Sequence, residues 1–216
     1  VHLQKAYELA AESMVLLKND NHTLPLAKTA KIALAGPLKQ ERRALLGSWV
    51  LDGKEEETQH FYEALQNALV GCEGAVICNT DDITDDAADK VFAQSDVIVL
   101  ALGESHLVSG ERHSLADIAL TEHQVSLARR AHSTGKPVIG VVFCGRPLAL
   151  QVAEPYLDAI LCAWHCGSET AAVATEILLG NIVPNGKTAV TFVKTTGHIP
   201  LYYNATSSAL ANNGYY

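Results

Sequence analysis

Long apolar runs are missing from this sequence. Nowhere do about 18 to 20 nonpolar residues follow one another, so no segment is expected to span a bilayer as a helix. Basic residues are also short, 16 Lys and Arg against 24 Asp and Glu for a formal net charge of −8. That balance argues against nucleic acid as a partner, because a phosphate backbone demands a positive surface. Cysteine is sparse and odd in number. Of Cys72, Cys78, Cys144, Cys162 and Cys166, three (Cys78, Cys144 and Cys162) lie in or at the ends of apolar runs. Buried thiols in a reducing, cytoplasmic setting explain this better than a disulfide framework. Cys162 and Cys166 lack a second cysteine pair at zinc-ribbon spacing, and no strand pattern is followed by G-x-G-x-x-G or a phosphate loop, so neither a metal nor another cofactor is expected. No signal peptide precedes the first periodic segment, and Val1 opens directly into a helical pattern. The chain is therefore expected to be a piece of a longer protein, whose secretion or periplasmic export stays open.

What is present is ordinary globular composition, 48% hydrophobic and 19% charged over 216 residues, enough to bury a full core. Leu3, Tyr7, Ala10, Met14 and Leu17 recur at spacings of four and three and predict one face of a helix. Lys31 to Ala35 reads as a short strand stopped by Gly36-Pro37, and Phe61, Leu65, Ala68 and Leu69 form a helical face closed by Gly71. Ala75 to Cys78 is a brief strand, Thr84 can cap a helix through Ala93, and Asp96 to Leu102 is an apolar run of strand length. Thr121-Glu122-His123-Gln124 is a capping box that opens a helix ending at Gly135. Pro137 to Phe143 and Leu157 to Ala163 read as buried strands, Glu169 to Leu179 as a helix, and Thr188 to Phe192 as a strand at the sheet edge. The alternation predicts a three-layer α/β/α sandwich, flavodoxin- or Rossmann-like, with a mostly parallel sheet and one antiparallel edge strand. Residues 1–204 are expected to form this domain, and 205–216 a loose tail or the start of a linker.

In such a sheet every parallel strand ends on the same rim, where ligands gather. Gly36-Pro37, Asn79, the stretch from Glu104 to Glu111, Gly145-Arg146 and Trp164-His165 all follow strand ends there. The loop from Gly103 to His113 holds two carboxylates, Glu104 and Glu111, and two imidazoles, His106 and His113. Glu111 is the residue to single out, although a loop glutamate is ordinarily a solvated surface charge.

Three stretches in order carry a resemblance that spacing alone does not reveal: the loop from Gly103 to Asp117, the turn Gly145-Arg146-Pro147-Leu148, and the segment from Trp164-His165-Cys166-Gly167-Ser168-Glu169 to Leu179-Gly180-Asn181-Ile182-Val183-Pro184-Asn185-Gly186-Lys187. Together with Ser13 to Asn19, Leu24-Pro25-Leu26 and Ile199 to Tyr203, they make the chain resemble the C-terminal α/β sandwich domain of glycoside hydrolase family three, close to bacterial β-glucosidases. The resemblance implies a retaining hydrolysis of terminal β-D-glucosyl residues shared between two domains. A barrel domain would supply the aspartate nucleophile and most sugar contacts, and this domain would lend the acid/base glutamate, which falls on Glu111. Trp49 falls where similar proteins place an aromatic near the leaving group, though an indole partly buried under a loop is an equal reading. Glu104 and His113 are further candidate substrate contacts. Glu104 is also the runner-up proton donor, and as a carboxylate that accepts hydrogen bonds to hold the loop it has its plainest role. Arg146 and His165 are expected to brace the rim. Leu115, Val193 and Thr170-Ala171-Ala172 depart from the family's usual arginine, proline and glycine-rich stretch.

Three other readings stay open. The parent could be a β-xylosidase, the chain could be a flavodoxin-like module holding a small ligand at the strand ends, or it could be a purely structural domain that lost its acid/base, against which the presence of Glu111 speaks. On the leading reading its partners are the barrel domain and a β-glucoside or oligosaccharide, and the chain alone is inert.

Overall fold

Among the described residues, five parallel strands and one antiparallel strand make the middle layer. The computed structural model describes residues 1–78, 85–202 and 204. The strands are β1 (Val15–Asn19), β2 (Lys31–Ala35), β3 (Ala75–Cys78), β4 (Val97–Gly103), β5 (Val138–Phe143) and β6 (Ala159–Cys162), in the order β1-β6-β5-β4-β2-β3. β1 runs antiparallel to β6 and the other neighbours are parallel.

Successive residues of a strand face opposite sides of a sheet. In β4, Val97, Val99 and Ala101 enter one core and Ile98, Leu100 and Leu102 the other. The first core is covered by α1 (His2–Ser13), α3 (Phe61–Ala68) and α6 (Thr170–Leu178), the second by α4 (Asp85–Ala93) and α5 (Glu122–Ser133). A strand buried on both sides needs apolar residues at every position, which is why β4 and β5 are continuous hydrophobic runs. The expected three-layer sandwich is thus the observed one.

Three local expectations need correction. The N-terminal helix stops at Ser13, and Met14 is already extended. Met14 and Val15 are both buried but enter opposite cores, as neighbours in a strand do, so Met14 and Leu17 belong to no helix face. The antiparallel edge strand is therefore β1. The stretch from Thr188 to Phe192 forms no strand: it lines a cleft together with Leu17 of β1 but makes no ladder with that strand, and β1 itself takes the edge beside β6. A short helix, α2 (Arg42–Leu46), stands where only a loop was foreseen, held by the buried Ala44 and Leu45. The expected cap at Thr84, the rim residue Asn79 and the tail 205–216 lie outside the described residues.

The strands of this sheet do not all end together. β2 accompanies β4 only as far as the pair of Ala35 and Leu100, whereas β5 continues to the pair of Phe143 and Gly103. The last residues of β4 therefore lack a strand on the β2 side. Leu38 N–H donates to the Ala101 carbonyl at 3.3 Å. Farther along, the buried amide of Gln124 acts as a strand would: its Oε1 accepts from Gly103 N at 2.7 Å and its Nε2 donates to Gly103 O at 2.9 Å. The expected capping box is thus half a box. Thr121 Oγ1 accepts from Gln124 N at 3.4 Å, but the glutamine side chain turns to the sheet instead of back to the cap. Gly103 itself has φ +130°, and a Cβ there would fall 1.8 Å from the Phe143 carbonyl oxygen, so only glycine fits.

Gln124→Leu keeps the volume but strands two buried backbone groups, each worth about 1–3 kcal/mol when unpaired. The expected outcome is a loss of about 2–4 kcal/mol in urea unfolding of the chain. An unchanged midpoint would show that another group takes over the pairing.

Candidate active site

The rim beyond β4, β5 and β6 is a set of interlocked loops. Glu104, one residue past β4, is only 8% exposed. Its Oε1 accepts from Gly145 N at 3.0 Å and from Arg146 Nε at 3.3 Å, and Oε2 lies 3.2 Å from the same Arg146 nitrogen. Burial of a carboxylate is tolerable only with such partners. The Arg146 guanidinium reaches further, donating through Nη2 to the Val108 carbonyl. From the opposite side Ser48 Oγ sits 2.6 Å from the Ser109 carbonyl and 3.1 Å from that of His106, so its single proton is shared between them.

Glycines let these loops meet without spacers. A Cβ on Gly145 would fall 1.9 Å from Ser109 Oγ, and one on Gly110 would fall 2.7 Å from Ser48 Cβ and 3.9 Å from Trp49 Nε1. The stretch from Glu104 to Gly110 is thereby clamped between residues 47–49 and the turn at 145–146. Glu111 comes immediately after and is exposed. It stands between two left-handed residues, Gly110 at φ +99° and Arg112 at φ +65°. A non-glycine residue in that conformation costs energy and marks a backbone held by its surroundings, a feature common at functional sites.

The other candidates fall into two groups. Trp49 is 70% exposed and lies beside the Gly110 to Glu111 link, so its indole face is open rather than tucked under the loop. His113 is exposed two residues beyond Glu111. Glu104, Arg146 and His165 instead form the floor. Burial pushes the His165 imidazole down to about 4, opposed by a hydrogen bond to the Glu104 backbone and aided by the neighbouring His106. His106 is itself lowered by burial and then by the Arg43 guanidinium. Asp117 lies farther along the loop, its carboxyl held low by the Thr196 hydroxyl and then by the Ala119 N–H.

Sequence reasoning missed Ser48 and the true task of Gln124. The signal for Ser48 was its place between Gly47 and Trp49, a small donor beside a residue able to turn. Gln124 was visible only as a capping partner. Two open clefts, of about 620 and 780 Å³, lie along β1 and the segment 188–194; neither is lined by Glu111, Trp49 or Glu104. Glu111 is exposed on the rim, directly after the clamped stretch.

A family model described as the glycosyl hydrolase family 3 C-terminal domain matches residues 14–216. A periplasmic beta-glucosidase of Salmonella typhimurium is 34% identical over 230 residues, covering 94% of this chain and 30% of that protein. A beta-xylosidase of Formosa agariphila is 31% identical, with 94% of this chain and 30% of that protein covered. The crystal structure of a beta-glucosidase from Listeria innocua superimposes with a TM-score of 0.87 at 38% identity, over 95% of this chain and 29% of that one. The chain thus spans about 30% of the length of the curated relatives it matches.

The lowered His165 has a consequence for folding. Its folded pKa of about 4 lies below the ordinary 6.5, so between these values the unfolded chain takes up a proton that the folded one refuses. Stability is complete above about 6.5 and falls as pH drops toward 4, by about 3 kcal/mol from this residue. His60 and His106, also lowered, act in the same direction. In urea unfolding between pH 7 and 4.5, His165→Gln is expected to flatten the decline. Parallel slopes for variant and wild type would contradict the assignment.

Proposed function

The chain belongs to the glycosyl hydrolase family 3 C-terminal domain family, and from that premise we propose that it furnishes the acid/base half of a retaining β-glucosidase, with Glu111 as the proton donor. The observation that carries this is the placing of Glu111: an exposed carboxylate on the carboxyl rim of the sheet, directly after a loop clamped on both sides. Retaining hydrolysis requires two carboxyl groups about 5 to 5.5 Å apart, one protonating the glycosidic oxygen while the other attacks the anomeric carbon. In the second half-reaction the first group, now a carboxylate, deprotonates the incoming water. One glutamate cannot do both jobs, so on this reading another domain of the parent enzyme brings the nucleophile, a barrel domain as the family resemblance implies.

Trp49 offers an open indole face to the leaving group, since aromatic rings pack against the apolar faces of sugars. His113, two residues beyond Glu111, is exposed as well. Glu104 belongs to the floor, because it is buried, its Oε1 accepts from Gly145 and Arg146, and its Oε2 faces the Arg146 guanidinium. The glycone pocket would lie on the barrel, and a terminal β-D-glucosyl residue is the substrate we favour. The similarity to a beta-xylosidase favours one alternative, a xylosyl substrate, separated from the first by comparing aryl glucosides with aryl xylosides. Among the described residues no helix is long and apolar enough to cross a membrane.

Two outcomes are expected. The isolated 216-residue chain hydrolyses no aryl β-glucoside, and turnover that Glu111→Gln abolishes would contradict the two-domain reading. In the enzyme with its barrel, Glu111→Gln lowers kcat/KM for alkyl glucosides or cellobiose by about 10²–10⁴-fold, the range of general acid catalysis. Dinitrophenyl glucoside, whose leaving group needs no proton, loses less than about tenfold. Equal losses on both would remove Glu111 from the role.

A further inference from the structure

We propose that Glu104 and Arg146 act as a positioning pair for Glu111, fixing where the proton donor stands while neither touches substrate. The inference rests on the reading of Glu111 as the acid/base and adds what holds it in place. A general acid must come within about 3 Å of the oxygen it protonates. A free chain advances about 3.5 Å per residue, so a glutamate on a loose loop could wander by many times that tolerance. Here the slack is removed close to the donor. Arg146 Nη2 holds the carbonyl of Val108, three residues before Glu111, and Ser48 Oγ holds that of Ser109, two before.

The load on Arg146 passes to Glu104. The guanidinium is a rigid planar fork: Nε faces the Glu104 carboxylate while Nη2 faces the loop carbonyl. Glu104 is in turn immobile, because it starts directly at the end of β4, is buried, and also accepts from Gly145 N–H. The path therefore runs from a core strand through a carboxylate and a guanidinium to the loop. A lysine at position 146 could satisfy the carboxylate or the carbonyl, but it has no fork to bridge them in one fixed geometry. A misplacement of about 1 Å can cost about 10²-fold in rate, so a small slackening here should be visible in the chemistry.

The test uses the enzyme with its barrel domain and a series of aryl β-glucosides of graded leaving-group pKa. Arg146→Lys should lower kcat/KM on the poorest leaving groups by about 10–100-fold and on the best by less than about threefold. Guanidinium ion added to Arg146→Ala should restore part of the loss on the poor leaving groups only. Combined with Glu111→Gln, Arg146→Lys should cost nothing further on those substrates, because the position of an absent acid cannot matter. Ser48→Ala, which loosens the loop from the other side and leaves the buried ion pair intact, should show the same selectivity more weakly. It carries the test if the Arg146 variants do not fold. Equal losses across the series, or losses that multiply with those of Glu111→Gln, would overturn the proposal and leave Arg146 as a prop for folding. If Glu111→Gln itself shows no dependence on leaving group, it is the acid/base reading that fails.

Discussion

The structure turns on a strand that outruns its neighbour. β4 continues past the end of β2, and backbone groups inside a protein cannot be left unpaired. The Gln124 amide completes the ladder where no strand is available, which lets β4 deliver the chain to Gly103 in a conformation only glycine adopts freely. That delivery places Glu104 under the rim, beside the turn after β5. A carboxylate so placed must be paired, and Arg146 pairs it. The guanidinium that satisfies the carboxylate also catches the loop carbonyl at Val108. A requirement of backbone pairing thus propagates, bond by bond, to the residue that faces solvent.

Such a buried ion pair is a weak source of stability. Desolvating both charges offsets most of their attraction, and apolar replacements are often no less stable. Its contribution lies in fixing a geometry. The same holds for the floor around it: His165 sits neutral and so lowers acid tolerance, and Arg112 and Trp164 adopt left-handed conformations that cost a non-glycine residue energy. Several of these costs fall on this rim, although Asn21 and His22, at the opposite end of the sheet after β1, are left-handed as well.

Much of this was legible in the sequence, and the parts that were not have physical reasons. The run Lys31 to Ala35 coincides with β2, and the apolar runs before Gly103 and Cys144 are β4 and β5, because strands buried on both faces leave an unbroken apolar signature. The first helix was overextended because Met14 and Leu17 are apolar for a different reason, facing the two cores from the start of a strand. The stretch from Thr188 to Phe192 has strand-like residues but forms no ladder with the outer edge of β1, and pairing is a property of the whole sheet. At the rim, Glu111 stood out through its position after a core strand and through the resemblance to a known domain. Glu104 was ambiguous, since a carboxylate one residue past a strand can face out or in, and only the placing of Arg146 decides. Ser48 and Gln124 carried little signal, because a hydroxyl or an amide takes its meaning from the backbone group it meets.

On the proposed acid/base reading, what matters most is where Glu111 lies relative to the attacking group. A crystal structure of the enzyme with its barrel domain, trapped as the 2-deoxy-2-fluoroglucosyl intermediate, would measure that distance directly. The expected result is a Glu111 carboxylate about 5 to 5.5 Å from the carboxylate bonded to the sugar, on the leaving-group side of the ring. A separation beyond about 8 Å, or another carboxyl group occupying that place, would contradict it.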